Sequence, residues 1–226
     1  VEKTLDNRRA RGETTKLALM RAAEKLIADR GVENISIREI VVAAGQKNES
    51  ALQYHFKNLR GLLQAIRTER SEQVQARRAE LLEALLSETS EPSLQQLCSL
   101  MIEPTFQLAR NDVDFRRYIK AFGHELALTE SSPLKAVSNT GGGGASGQQM
   151  GQLLRKALPH LDEEDYRRRM EAAVTLCSAS MYQQARQKNA FRGHQSELFL
   201  NSLLDALFGL LSAPVSPRTL ALKRGT

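Results

Sequence analysis

The chain has 226 residues, 41% of them hydrophobic, and 32 Lys and Arg face 26 Asp and Glu for a formal net charge of +6. That length and apolar content suit one large or two small domains with a core of their own. No apolar run approaches the roughly 18 residues of a membrane span, and the opening VEKTLDNRRARGETTK lacks the apolar stretch of a secretory leader, so the expected compartment is the cytoplasm. Cys98 and Cys177 stand 79 positions apart with no CxxC or Cys/His cluster. They read as buried, reduced thiols, and no metal and no cofactor are expected. The positive charge is uneven: residues 1–60 hold 12 Lys and Arg against 8 Asp and Glu. A basic N-terminal part is the electrostatic footprint of a polyanion partner.

In chain order, residues 1–13 read as a flexible basic arm with Arg8, Arg9 and Arg11 clustered. Leu19, Ala22, Ala23, Leu26 and Ile27 then form one stripe of a helix over 14–30, which Gly31 ends. Ser36 and Glu39 have the spacing of a capping box. Behind them Ile37, Ile40, Val41 and Ala44 lie at offsets of three, four and seven, and Gly45 breaks the pattern. A second short helix opens on Gln46, Lys47, Asn48, Glu49 and Ser50 and closes on Leu52, Tyr54, His55 and Phe56. Two short helices about a glycine turn, the second with a polar front, form a helix-turn-helix, whose partner is double-stranded DNA. Further helices are predicted over 59–86, 93–110, 113–128, 148–158, 163–188 and 195–211, with no alternating strand pattern, so the fold class is all-α. The stretch SNTGGGGASG at 138–147 is a low-complexity loop, and the residues after Pro214 form a basic tail. The division is an arm at 1–13, a helix-turn-helix domain at 14–58, a helical regulatory and dimerisation domain at 59–214 and a flexible tail at 215–226.

A recognition helix presents its N-terminal residues to base edges in the major groove. Lys47 can donate to guanine, Gln46 and Asn48 can pair with adenine, and Glu49 can accept from cytosine. Near phosphates alone, the Glu49 carboxylate would be repelled.

The segment closely resembles the tetracycline-repressor (TetR) family of bacterial transcriptional regulators. The matching residues are 19–27, LMRAAEKLI; Gly31; Ile35 to Ile40, ISIREI, with Ala43, Ala44 and Gly45; Leu52 to Phe56, LQYHF; and Leu62 and Leu63. They cover about residues 14–66; beyond these, only helical content and chain length agree. Two departures stand out. Gln46 occupies a position where the family commonly has Val, and the family's lysine after Tyr-His-Phe falls on Leu59, with Arg60 one position later. The resemblance implies phosphate contacts from Ser36, Arg38, Ser50, Tyr54, His55 and Lys57, with Arg60 standing nearest the missing lysine. It also implies a homodimer and a small-molecule effector pocket among the middle helices.

The sequence supplies candidates for both. The predicted helix at 195–211 is apolar over more of its circumference than one core contact needs. Leu203, Leu204, Leu207, Phe208 and Leu211, with Val174 and Met181 on the helix before it, are the expected four-helix dimer interface; a simple intramolecular core is the alternative. Leu97, Met101, Phe106, Phe115, Tyr118, Phe122 and His124 are the pocket candidates, though Met and aromatic residues at helical spacing are also ordinary core. The leading reading is a repressor released from a palindromic operator by a small hydrophobic ligand. A regulator acting through protein contacts without a ligand is the second reading. A helical enzyme or carrier with an incidental basic N-terminus is the third, and no Ser/His/Asp, Cys/His, HExxH or Walker pattern supports catalysis.

Overall fold

A computed structural model describes residues 2–125, 132–135 and 143–224, with residues 2–9 described by backbone alone. The described residues are helical, with no strand among them. The helices are α1 (Glu2–Arg30), α2 (Ile37–Ala43), α3 (Ser50–Phe56), α4 (Leu59–Glu88), α5 (Leu94–Asn111), α6 (Val113–Phe122), α7 (Gly144–Ala157), α8 (Glu163–Ala185), α9 (Gly193–Ser212) and α10 (Pro217–Arg224). A 3-10 turn, Val32–Asn34, joins α1 to α2.

Several boundaries differ from the sequence expectation, each for a local reason. The expected arm at 1–13 is the first part of α1, which is continuous from Glu2. It contains no Pro, and its one Gly, Gly12, lies between Arg11 and Glu13, both good helix formers. The expected tail at 215–226 contains α10, where the Ser216 hydroxyl accepts the Thr219 N–H at 3.2 Å. Lys223 ties α10 to the start of α8 by bonds of 2.7 Å to Asp162 and 2.5 Å to Asp165. The glycine-rich stretch falls partly outside the described residues, and α7 already begins at Gly144. The helix expected over 113–128 has α6 ending at Phe122, and 126–128 lie outside the described residues.

Two apolar cores form. The smaller gathers Leu19, Met20, Ala23 and Ile27 of α1, Ile40 and Val41 of α2, Leu52 and Phe56 of α3 and Leu62 and Ile66 of α4. Ala121 and Phe122 of α6 complete it, so it reaches past residue 58. The larger core holds α5, α7, α8 and α9 with the remainder of α4 and α6. There Phe106 meets Phe191 edge-on at 5.6 Å and stacks on Phe199 at 6.4 Å. Both cysteines are free; burial pushes the Cys98 thiol up to about 11 and the Cys177 thiol to about 12.

Both α4 and α6 span the two cores, with Tyr118 of α6 packed against both. A buried ionic cluster fastens them. Arg70 of α4, 1% exposed, forks onto the fully buried Glu24 of α1 at 2.7 and 2.8 Å. The same guanidinium reaches Asp112, the N-cap of α6, at 3.3 Å and lies over the Phe115 ring at 5.5 Å. Arg67, one turn earlier, forks onto Glu125 at 2.9 and 2.5 Å and covers Phe122. A fork of this kind fixes orientation as well as distance, which a lysine could not do.

Candidate nucleic-acid interface

Backbone hydrogen bonds fix α2 at both ends. At its start, the Ser36 hydroxyl accepts the Glu39 N–H at 3.2 Å and the Glu39 carboxylate accepts the Ser36 N–H at 2.8 Å, the expected capping box. Arg30, ending α1, donates to the same carboxylate at 2.8 Å. That bond, with those from the Ser36 hydroxyl and N–H, holds Glu39 down at about 2. At the other end, Gln46 N–H returns to Val41 O at 2.9 Å and Gly45 N–H to Val42 O at 3.0 Å. These are the two bonds of a Schellman closure, which needs positive φ at the residue between them. Gly45 supplies it at +69°.

Helix α3 starts later than expected. Gln46, Lys47, Asn48 and Glu49 belong to the turn, and α3 comprises only Ser50–Phe56. The reason is Asn48, whose side-chain oxygen accepts the Ser50 N–H at 2.9 Å and so stabilises the turn before the helix. Gln46 folds back onto Ala44 O at 3.3 Å. Leu52 and Phe56 point into the small core, while Tyr54 is 84% exposed. His55 is half-buried, with its ring edge-on to Tyr54 at 4.9 Å. A Cβ placed on Gly12 of α1 would lie 3.8 Å from the same ring.

The exit from α3 is strained. Asn58 N–H bonds to Phe56 O at 2.8 Å across Lys57, whose φ is +68° and ψ −46°. This is a γ-turn of the rare positive-φ kind, occupied by a residue other than glycine. Asn58 then caps α4 by accepting the Gly61 N–H at 2.9 Å. A Cβ on Gly61 would fall 2.0 Å from Phe56 O, so the start of α4 presses directly on the end of α3.

The expected DNA-facing residues therefore separate by position. Arg38, Lys47, Asn48, Glu49, Ser50, Tyr54, Lys57 and Arg60 lie exposed around α2, α3 and the joining turns. Ser36 is exposed too, but its hydroxyl is engaged in the cap, donating to Glu39 at 2.8 Å. Four exposed cations, Arg38, Lys47, Lys57 and Arg60, share this surface with the Glu49 carboxylate, while Glu39 is paired with Arg30. Sequence reasoning missed Val42, 67% exposed beside the turn, and the roles of Asn58 and Gly61. Val42 lies outside the apolar stripe of Ile37, Ile40, Val41 and Ala44, and the Asn-X-X-Gly spacing at 58–61 was the signal for the second cap.

The pocket and dimer candidates are placed differently. Leu97, Phe106, Phe115 and Phe122 are buried in closed core, and Met101, Tyr118 and His124 are half-buried at its margin. Two open grooves lie elsewhere, along α8, α9 and the turn between them, one of about 430 Å³ lined by Gln184, Gln187, Lys188 and Phe199 among others. Of the expected dimer residues, Met181, Leu203, Leu207 and Leu211 are buried within the chain itself. They face α5 and the neighbouring core, whose apolar demand takes that side of α9. Val174, Leu204 and Phe208 remain partly exposed.

Comparison with known proteins agrees with this architecture. Residues 19–66 match the model of bacterial regulatory proteins of the tetR family. Residues 99–213 match the tetracyclin repressor-like C-terminal domain. Among solved structures, one from Rhodococcus sp. described as a TetR-family transcriptional regulator aligns with TM-score 0.59 at 18% identity, over 88% of this chain and 99% of that one. Salmonella enterica GusR aligns with TM-score 0.51 at 20% identity, over 88% and 96%. At such identities these two share the fold. No curated protein matches the sequence. With both domain models matched in order and a capped, cation-bearing helix-turn-helix in the first, the chain belongs to the TetR family and is a DNA-binding transcriptional regulator.

Proposed function

We propose that the protein is a repressor that binds a palindromic operator as a homodimer and is released by a small, mainly apolar effector. The observation that carries the interface is Lys57. A non-glycine residue held in a positive-φ γ-turn costs stability, and a cation retained there at the end of α3 has a use in grasping a phosphate. Arg38, Ser50, Tyr54, His55 and Arg60 complete the backbone contacts, while Gln46, Lys47, Asn48 and Glu49 face base edges. Ser36 serves the cap. The partly exposed Val174, Leu204 and Phe208, with Leu198 at 47% exposure, supply the apolar part of a two-fold contact between α8–α9 pairs. Among the described residues no single helix is long and apolar enough to cross a membrane, and the proposal places the protein in the cytoplasm with its operator.

The effector would act on α6, which touches both cores. By binding one arrangement of α6 more tightly than the other, it would shift the spacing of the two α3 helices. Nδ1 of His124, just past α6, is buried with no hydrogen-bond partner among the described residues, and its ring lies 5.1 Å from that of Tyr182. A buried polar atom without a partner is a natural anchor for a ligand's polar group. A second reading, regulation through protein contacts without an effector, is favoured by the closed packing of Leu97, Phe106 and Phe115.

Gel shifts on the operator test the interface. Lys57→Ala should weaken binding to all sequences and reduce the salt slope by about 1 per protomer, whereas Lys47→Ala should also change base preference. Parent-like binding by both variants would sink the assignment. A thermal-shift screen with small aromatic compounds separates the effector readings: a stabilising compound whose effect is lost in His124→Phe supports the first, and no shift with any compound supports the second.

A further inference from the structure

Between residues 31 and 61 the chain carries five carboxamides, Asn34, Gln46, Asn48, Gln53 and Asn58. Four are committed to nearby backbone. Asn34 Nδ2 donates to Arg30 O at 2.8 Å, and Gln46 Nε2 donates to Ala44 O at 3.3 Å. Asn48 Oδ1 accepts the Ser50 N–H at 2.9 Å, and Asn58 Oδ1 accepts the Gly61 N–H at 2.9 Å. The fifth, Gln53, is exposed, and its side chain makes no hydrogen bond among the described residues. Because α3 starts at Ser50, Gln53 closes its first turn. Leu52 and Phe56 mark the buried side of α3. At 100° per residue, Ser50, Gln53 and Tyr54 span an exposed arc of about 100° clear of that side. His55, which meets α1 at Gly12, lies about 160° round the helix from Gln53.

We propose that Gln53 is a specificity-determining residue, which reads an adenine in each half-site through both polar atoms of its carboxamide. The inference rests on α3 entering the major groove. There adenine presents N7 as an acceptor and N6 as a donor side by side. A carboxamide meets both at once, with Nε2 donating to N7 and Oε1 accepting from N6. That pairing uses the amide oxygen and nitrogen together, and in Gln46 and Asn48 one of the two is already engaged with backbone. Gln53 has both to offer. The other exposed side chains of α3 do not replace it: Ser50 and Tyr54 each end in a single hydroxyl, which donates or accepts and so does not fix one base. Position agrees with chemistry, since a recognition helix contacts base edges through its N-terminal residues and Gln53 stands in the first turn.

Selection of bound duplexes from a random pool supplies the half-site. Gel shifts then compare duplexes in which each of its adenines in turn is replaced, in both half-sites, by 7-deazaadenine. That base pairs normally but has carbon in place of N7, so it removes the acceptor that Gln53 would use. At one position the replacement should weaken the parent roughly tenfold, one hydrogen bond being lost in each half-site. Gln53→Ala should lose at least that factor on the unmodified duplex and be indifferent to 7-deazaadenine at that position, while keeping the parent's response elsewhere. Gln53→Glu, whose carboxylate only accepts, should move the preference there toward cytosine. Gln46→Ala and Asn48→Ala should keep the parent's response at that position. The proposal is overturned if the half-site carries no adenine, if no replacement weakens the parent, or if Gln53→Ala keeps the response. It is also overturned if Gln53→Ala weakens binding to all sequences alike, or if Gln46→Ala or Asn48→Ala abolishes the response instead. A parent that enriches no sequence would overturn the placement of α3 in DNA.

Discussion

Lys57 and Gly61 sit four residues apart and are constrained in opposite ways. Lys57 holds a backbone conformation that suits glycine, at φ +68°. Lys57→Gly should therefore raise stability by about 1 kcal/mol while weakening operator binding. Denaturant unfolding and gel shift read the two effects, and a variant that gains nothing in stability would remove the argument from strain. Gly61 is the reverse case, a glycine needed for space. Gly61→Ala would gain roughly 1 kcal/mol of helix propensity, but its Cβ would meet Phe56 O at 2.0 Å. Overpacking against backbone costs about 1–3 kcal/mol, so the clash wins, and unfolding should show net destabilisation with weakened DNA binding. Gly45 was legible in the sequence because its break in periodicity is local. Gly61 was not, because its reason is a neighbouring helix end rather than its own turn.

At the scale of elements, the capping box on α2 was legible because Ser36 and Glu39 carry it within one turn. The late start of α3 was not, since Asn48 can cap a helix or lie in its first turn and only the backbone decides. Arg30 adds a link that spacing could not reveal, joining α1 to α2 through the same Glu39 carboxylate. That carboxylate is held down at about 2. A group depressed in the folded state contributes its stability above its unfolded pKa, about 4.3, and loses it as pH falls toward 2. Glu39→Gln can keep the cap but has no charge to titrate. The difference in Tm between parent and variant should be steady above about pH 5 and shrink between about 4.3 and 2. A difference that stays constant across that window would rule out the charged pairing with Arg30. The helical N-terminal segment and α10 were missed for another reason: polar, charged segments give no apolar periodicity, and a lysine's pairing with Asp162 and Asp165 is a tertiary contact.

Across the whole molecule, the two cores are joined by α4 and α6 and by charges buried at the base of α6. Glu24→Leu would take the fork away from the Arg70 guanidinium, 1% exposed, and leave it Gln73 and the longer Asp112 contact at 3.3 Å. Removing one partner of a buried pair costs about 3–5 kcal/mol, whereas replacing both by apolar residues can be neutral. Glu24→Leu/Arg70→Met should therefore be more stable than Glu24→Leu alone, measured by denaturant unfolding, and a double variant no better than the single one would deny the coupling. The all-α class and the helix-turn-helix were legible from periodicity. The inward side of α9 was not: Leu203, Leu207 and Leu211 look the same in sequence whether they meet their own core or a partner. The central claim is that α3 and its flanking turns read DNA, as a two-fold pair. Selection of bound duplexes from a random pool by the protein tests it most directly. The account predicts an inverted repeat with half-sites about 34–36 Å apart or a multiple of that, bound with a strong salt dependence. Recovery of no enriched sequence, or of a single unrepeated site, would contradict it.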